Sequence, residues 1–327
     1  MSLPPEAASH LTEWLGPDWS ARPLAGDASV RAYYRVTGAD GTNYILTYYP
    51  EDVRPQLARV MAAFEAVSPH GRVPRMLHHA AAVTLQEDVG ERTLFDILHE
   101  DREEGVRLYH QAIELLVQFQ RAECAINPPF TAAFFRAELD MAIEFYVEQL
   151  MGRSREPILS HMDSIAAKPA QHPQVLCHRD FHGQNLHIFN DDLFLIDYQD
   201  LRMGPDTYDL ASLFRDRGVA RILGDETELE LLAHYRELRG AADGIRRRYF
   251  ETLLQRSIKI LGTFAKQPIV RGRMHYIDYI PPALEAIRRC IAELPEYASL
   301  LETFPLDFDP DAARRRAQEL NGAIANG

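Results

Sequence analysis

The sequence predicts an α+β chain in two lobes, a small strand-rich N-terminal lobe over residues 1–88 and a large, mainly helical C-terminal lobe over residues 89–327. Three observations carry this. Short alternating or aromatic-rich runs at 30–36, 44–48 and 83–85, the strand pattern, all fall before residue 88. From Thr93 onward apolar residues recur at helical spacing. Between two helical blocks lies a β-like island, with strands expected at 174–177, 186–189 and 193–196 and a turn at Asn190-Asp-Asp192.

Taken in order, a helix is expected over 6–15, ended by Gly16-Pro17. Gly26-Asp-Ala-Ser29 turns into the first strand, and Ala39-Asp40-Gly41 makes a hairpin turn into the second. Residues 56–67 repeat apolar positions as a helix does. In the helical part, segments are expected at 93–99, 106–123 and 132–151, with Leu115, Leu116 and Phe119 as the apolar stripe of the second. After Gly204-Pro205 they resume at 206–215, 226–238, 242–265, 281–293 and 310–322. With 327 residues the chain exceeds the ~250–300 at which a single core stops growing, so both lobes can hold cores of their own.

Composition narrows the function. The formal charge is −13, from 35 basic and 48 acidic residues, which argues against a nucleic-acid footprint or attraction to anionic lipid. Cys124, Cys177 and Cys290 are widely spaced and lack CxxC pairing, so neither a disulfide framework nor a zinc knuckle is expected. No stretch approaches the ~20 apolar residues that cross a bilayer, and the N-terminus shows no basic-then-apolar signal. A cytoplasmic protein with a small-molecule partner, and no obligate protein partner, is the expectation.

The chemistry is concentrated in Cys177-His-Arg-Asp-Phe-His-Gly-Gln-Asn-Leu-His187, followed by Leu195-Ile-Asp-Tyr-Gln-Asp200 and Gly204-Pro-Asp-Thr-Tyr-Asp-Leu-Ala211. Phosphoryl transfer needs a carboxylate beside the attacking hydroxyl, oxygen ligands for magnesium and donors around the phosphates. Asp180, just past a strand, can be that carboxylate. Asn185 offers a neutral carbonyl oxygen to a hard cation and Asp197, at the end of the next strand, a charged one. Gly26, Asp27, Ala28 and Ser29 could lay backbone N–H groups along phosphates. A zinc site of His178, His182 and His187 would need a helix there, against Gly183 and the strand that follows.

The spacing His-x-Asp-x-His-x-x-Asn, then apolar-apolar-Asp, Gly and Tyr-Asp-Leu-Ala, resembles the aminoglycoside phosphotransferase and choline kinase superfamily, and the order of elements resembles the bilobal protein-kinase-like fold. The resemblance implies that Asp180, Asn185 and Asp197 are catalytic, with Asn185 and Asp197 on magnesium. It implies that His178, His182 and Asp209 support the loop, and that the donor is ATP or GTP. One difference stands out: the first lysine of the chain is Lys168, and Thr47 occupies about the place of the usual strand lysine. Arg31 or Arg35 supplies the missing charge, or backbone and metal suffice, or the protein binds nucleotide without catalysis.

Further segments look like the bacterial branch of N-acetylmuramate and N-acetylglucosamine anomeric kinases of cell-wall recycling, whose members lack that lysine too. These are Gly26-Asp-Ala-Ser-Val-Arg31 with Tyr34, Gln86-Glu-Asp-Val-Gly90 as a hinge that brings Glu87 and Val89 to the nucleotide, Phe135-Arg-Ala-Glu-Leu139, Glu144-Phe-Tyr146 and Ser257-Ile-Lys-Ile-Leu-Gly-Thr-Phe264. The match runs from about residue 10 to 293 and is weaker over 266–276. It implies an amino-sugar hydroxyl as acceptor, with Glu138, Glu144, Gln199, Asp200, Arg256 and Lys259 as polar contacts. An aminoglycoside or amino-alcohol acceptor is the alternative.

Overall fold

The computed structural model describes residues 3–24, 30–215, 218–240 and 244–326; the expected phosphate turn at Gly26, Asp27, Ala28 and Ser29 lies outside them. In chain order the elements are α1 (Pro5–Leu15), β1 (Ser20–Pro23), β2 (Ala32–Thr37), β3 (Asn43–Tyr48), α2 (Pro55–Val67), β4 (Met76–Ala80), β5 (Val83–Glu87), α3 (Leu94–Glu100) and α4 (Arg102–Phe119). Then come α5 (Ala132–Ala142), α6 (Leu159–Ala170), β6 (Gln174–Cys177), β7 (Leu186–Phe189), β8 (Asp192–Leu195), β9 (Arg202–Pro205) and α7 (Tyr208–Arg215). The chain continues through α8 (Val219–Leu223), α9 (Asp225–Arg239), α10 (Ile245–Arg271), α11 (Ile280–Glu293), α12 (Leu300–Thr303) and α13 (Pro310–Asn326). Two compact units result, Met1–Asn127 with Gly183–Leu201, and Pro128–His182 with Arg202–Gly327.

The first unit is built on a five-stranded antiparallel sheet in the order β1-β2-β3-β5-β4. The period-2 pattern of β2 gives this sheet two different faces. Tyr34 and Val36, with Leu46, Val83 and Leu85, bury against Ala7 and Leu11 of α1. The register places Tyr33 opposite Thr47 and Thr47 opposite Thr84, and likewise Arg35 opposite Ile45 and Ile45 opposite Gln86. Cross-strand partners share a face, so these polar side chains collect on the side away from α1. The β7–β8 hairpin belongs to the same unit. Its two-residue turn, Asn190-Asp191, has both residues at positive φ (52° and 64°), as a tight hairpin requires, and Asn and Asp tolerate this best. Hydrogen bonds from Ile188 N to Arg92 O (2.8 Å) and from Leu195 N to Arg72 O (2.9 Å) fasten the hairpin to the unit.

The second unit is a helical assembly around α10, whose buried residues run from Ile245 to Ile269. Gly262 lets α10 and α5 approach closely: a Cβ there would sit 2.7 Å from the Ala142 Cα. Beyond Ala142 the helix widens into a π-helical stretch, Ile143–Leu150, still burying Ile143, Tyr146, Val147 and Leu150. The short β6–β9 ladder pairs Cys177 with Arg202. No helix among the described residues is long and apolar enough to cross a membrane.

Elements absent from the sequence reading have identifiable reasons. The Ser20–Pro23 edge strand ends in proline, Met76–Ala80 shows no buried alternation, and Arg202–Pro205 carries the Gly-Pro pair that reads as a turn. The α6 helix contains Pro169 in its last turn. The other expected strands and helices form within a few residues of their expected bounds, with α10 reaching Arg271 rather than 265.

Candidate active site

The polar face of the first unit's sheet opens on a cavity of about 580 Å³. It is lined by Arg31, Tyr33, Arg35, Ile45, Thr47 and Tyr49 of the sheet region, by Glu87 to Glu91 of the hinge, and by Asn185, His187 and Ile196 to Gln199. The hinge is held at both ends. Glu87 N donates to Arg75 O (2.9 Å), and Gly90 N donates to the Asp88 carboxylate (2.9 Å). Gly90 itself has φ 78°, which suits glycine. Its carbonyl bonds His187 Nδ1 at 2.9 Å, and burial lowers the His187 pKa, keeping the ring neutral with Nδ1 as donor. Val89 is buried within this turn, and with Ile45, Val60 and Ile196 it gives the cavity an apolar part suited to a flat heteroaromatic ring.

Asn185 and Asp197 line the same cavity because β7 and β8 pair. Asn185 closes a 3-10 turn, Gly183–Asn185, ahead of β7, and its carbonyl accepts from Ile196 N at 3.0 Å, one residue before Asp197. No helix forms at the three histidines, so the zinc geometry is lost. Asp197 adopts a left-handed backbone (φ 64°, ψ 37°), a conformation that costs a non-glycine residue roughly 1–2 kcal/mol. Such strain is characteristic of functional positions. Its Oδ1 accepts from Gln199 Nε2 at 2.7 Å and lies 4.0 Å from Arg31 Nη2, and the side chain remains 44 % exposed. An amide oxygen and a carboxylate on one cavity fit magnesium, which takes few protein oxygens and completes its shell with phosphate and water. No cluster of three or more His, Cys, Asp or Glu side chains able to hold a metal occurs among the described residues.

Asp180 belongs to the second unit. It stands three residues past the end of β6, and His182 N donates to its carbonyl at 3.1 Å. The preceding backbone is clamped by Asp209 at the start of α7, whose two carboxylate oxygens accept from His178 N (2.7 Å) and Arg179 N (2.9 Å). Arg179 takes φ 80°, so the clamp holds a backbone shape that would otherwise relax. Asp209→Ala leaves two buried N–H groups unpaired and is expected to cost about 2–5 kcal/mol, read by denaturant unfolding. Loss of less than ~1 kcal/mol would show the clamp to be dispensable.

The Asp180 carboxyl lies below the ordinary carboxylate range. Surrounding protein disfavours its charge, but Arg256, His178, Lys259 and His182 outweigh that. Arg256 is held by Ser212 Oγ (2.8 Å) and over the Tyr208 ring (4.9 Å), and Lys259 Nζ lies 3.9 Å from Glu138. Gln255 Nε2 donates to the same Glu138 carboxylate at 3.0 Å. A base must be ionised to accept a proton, so its activity disappears as pH falls through its pKa. With that pKa lowered, the acid limb of kcat/KM is expected below the value of a free aspartate. Arg256→Met removes a charge that lowers it and should move the limb upward; a pH profile that stays put would separate Arg256 from Asp180.

Of the remaining residues expected to matter, Gln199 lines the cavity, Arg256 and Lys259 act on Asp180, and Glu138 pairs with Lys259. Glu144 faces outward on the π-helix, where Gln149 Nε2 donates to it at 3.4 Å, and Asp200 is exposed at the end of the turn after Asp197. Sequence reasoning passed over Asp88, which is 6 % exposed and paired with Arg35 at 2.5 Å. It also passed over Tyr49 and Thr84, buried beside Thr47, and over Tyr208 beneath Arg256. The only signal for Asp88 was a second carboxylate in the hinge motif.

The description "Phosphotransferase enzyme family" fits residues 20–249. The chain belongs to this phosphotransferase family. It is 30% identical to an N-acetylmuramate/N-acetylglucosamine kinase of Neisseria meningitidis over 89% of this chain and 94% of that protein. A kinase of the same name from Pseudomonas aeruginosa is 27% identical over 86% of each. Among solved structures, the gentamicin–APH(2″)-IIa complex superposes with a TM-score of 0.60 at 15% identity, covering 88% of this chain and 98% of that one. An ethanolamine kinase of Plasmodium vivax gives a TM-score of 0.60 at 14% identity, with 82% of each chain covered. These likenesses establish the kinase-like α+β fold, with a strand-rich N-terminal part and a mainly helical C-terminal part. By its family and its kinase-named relatives, the phosphotransferase is a small-molecule kinase.

Proposed function

We propose that this kinase transfers the γ-phosphate of ATP or GTP to a hydroxyl of an amino sugar of the N-acetylmuramate/N-acetylglucosamine type, a cytoplasmic step of cell-wall recycling. The observation that carries the reading is the shared lining of one cavity by Asn185, Asp197 and the 87–91 hinge. Val89 would supply the apolar contact for the base and its main chain a polar one, and Glu87, whose N–H is committed to Arg75 O, would offer its carbonyl. Magnesium on Asn185 and Asp197 would neutralise charge on the terminal phosphates.

Asp180 orients the acceptor hydroxyl and takes its proton late in transfer. The acceptor oxygen forms its bond to the γ-phosphorus as the bond from that phosphorus to the bridging oxygen breaks, and the nucleoside diphosphate leaves. Arg256 and Lys259 keep Asp180 ionised, and Glu138, paired with Lys259, offers an acceptor oxygen to sugar hydroxyl or amide groups. His178, His182 and Asp209 hold the loop in place. Sugar selection draws support from the matched relatives, both named for the same two sugars.

An acceptor screen tests the proposal. The protein is incubated with labelled ATP or GTP and N-acetylmuramate, N-acetylglucosamine, aminoglycosides, choline or ethanolamine, and phosphorylated product is resolved by mass. Product from the two acetylated sugars at a kcat/KM at least ~10³ M⁻¹ s⁻¹ supports the reading, since ordinary enzymes reach 10⁴ or more on their own substrates. Preference for an aminoglycoside or amino alcohol would replace it.

A further inference from the structure

We propose that Arg31 supplies the charge that a strand lysine provides elsewhere, binding the triphosphate from the edge of β2. The inference rests on the nucleotide reading above and adds to it a residue from outside the position where the lysine would stand.

The alternation along β2 puts Arg31, Tyr33 and Arg35 on one face of the extended chain, the face turned to the cavity. Two arginines therefore compete for the role. Arg35 is already neutralised. Its Nε and Nη2 donate to the two oxygens of Asp88 at 2.5 and 3.1 Å, and it also pairs with Glu91. Asp88 in turn accepts from Gly90 N, so Arg35 serves to brace the hinge. Releasing it toward a phosphate would strand a buried carboxylate, which is strongly unfavourable.

Arg31 is placed differently. It stands just before β2, roughly 13 Å along an extended strand from Arg35. Its guanidinium lies 5.7 Å from the centre of the Tyr33 ring and bonds the Tyr49 hydroxyl, and the side chain is only 14 % exposed. Tyr33 is the cross-strand partner of Thr47, so Arg31 shares the cavity-lining face on which Thr47 stands in place of the lysine. Its Nη2 lies 4.0 Å from the Asp197 carboxylate. That carboxylate is a magnesium ligand in the proposed reaction, so a cation beside it stands where phosphate oxygens would arrive. The planar fork of arginine can meet two such oxygens at once.

Equilibrium titration of the full chain with adenosine, ADP and ATP, each with and without magnesium, tests this independently of turnover. Wild type is expected to bind ATP more tightly than adenosine. Arg31→Met should weaken ATP binding about 10- to 100-fold while leaving adenosine unchanged, and Arg31→Lys should recover part of the difference. Arg35→Met should instead weaken all three alike, through the hinge. Retention of the full ATP-over-adenosine preference by Arg31→Met overturns the assignment while sparing the nucleotide reading. Failure of wild type to bind any of the three overturns both.

Discussion

Asp180→Ala is expected to lower kcat by about 10²–10⁴-fold, the range that a positioned general base contributes. Nucleotide affinity should hold within about twofold, because Asp180 is not among the residues that line the cavity. Asp180→Asn keeps the shape and removes the charge, so it should be as slow as the alanine variant if proton acceptance is the role. The two quantities separate the explanations. A variant that loses turnover and nucleotide binding together has lost its fold or its loop, whereas one that loses turnover alone has lost its base. Turnover within tenfold of wild type would end the assignment.

Asp197→Ala removes the charged member of the pair suited to magnesium, and turnover should fall about 10³-fold or further, in line with loss of electrostatic stabilisation of a transferring phosphate. The distinguishing measurement is linkage between metal and nucleotide. In wild type, magnesium should tighten ATP binding; in Asp197→Ala that enhancement should vanish, with adenosine bound as before. Asn185→Ala, which keeps the carboxylate, should mainly raise the magnesium concentration needed for half-maximal activity. Persistence of the full magnesium effect without the Asp197 carboxylate would move the metal elsewhere.

How far the site could be read in advance differs from residue to residue. Asp180, Asn185 and Asp197 stood out because phosphoryl transfer asks for those residue types near strand ends, and strand ends leave marks in the sequence; folding brings Asn185 and Asp197 to one cavity. The sheet face was half legible: alternation from 30 to 36 separates Tyr34 and Val36 from Tyr33 and Arg35 but leaves open which set meets α1. The choice between Arg31 and Arg35 was not legible at all. Two arginines of identical chemistry, four positions apart, are told apart by what folding sets beside them: Asp88 and Glu91 pair with Arg35, while Arg31 stands 4.0 Å from Asp197.

Glu138, Arg256 and Lys259 illustrate the same division. Each is an ordinary polar residue on a helix, and Glu144 looks no different in sequence. Close contact of α10 with α5 at Gly262 sets Lys259 beside Glu138, while Glu144 turns outward on the π-helix and meets Gln149.

Sequence alone determined the class of chemistry and most of the helices and strands, and it singled out the three residues proposed as catalytic, because periodicity and motif spacing are local and survive without coordinates. Tertiary structure decided which charges are already satisfied. A side chain's electrostatic worth depends on partners many tens of residues away, as Arg35 depends on Asp88 and Asp180 on Arg256, and only folding brings such partners within reach.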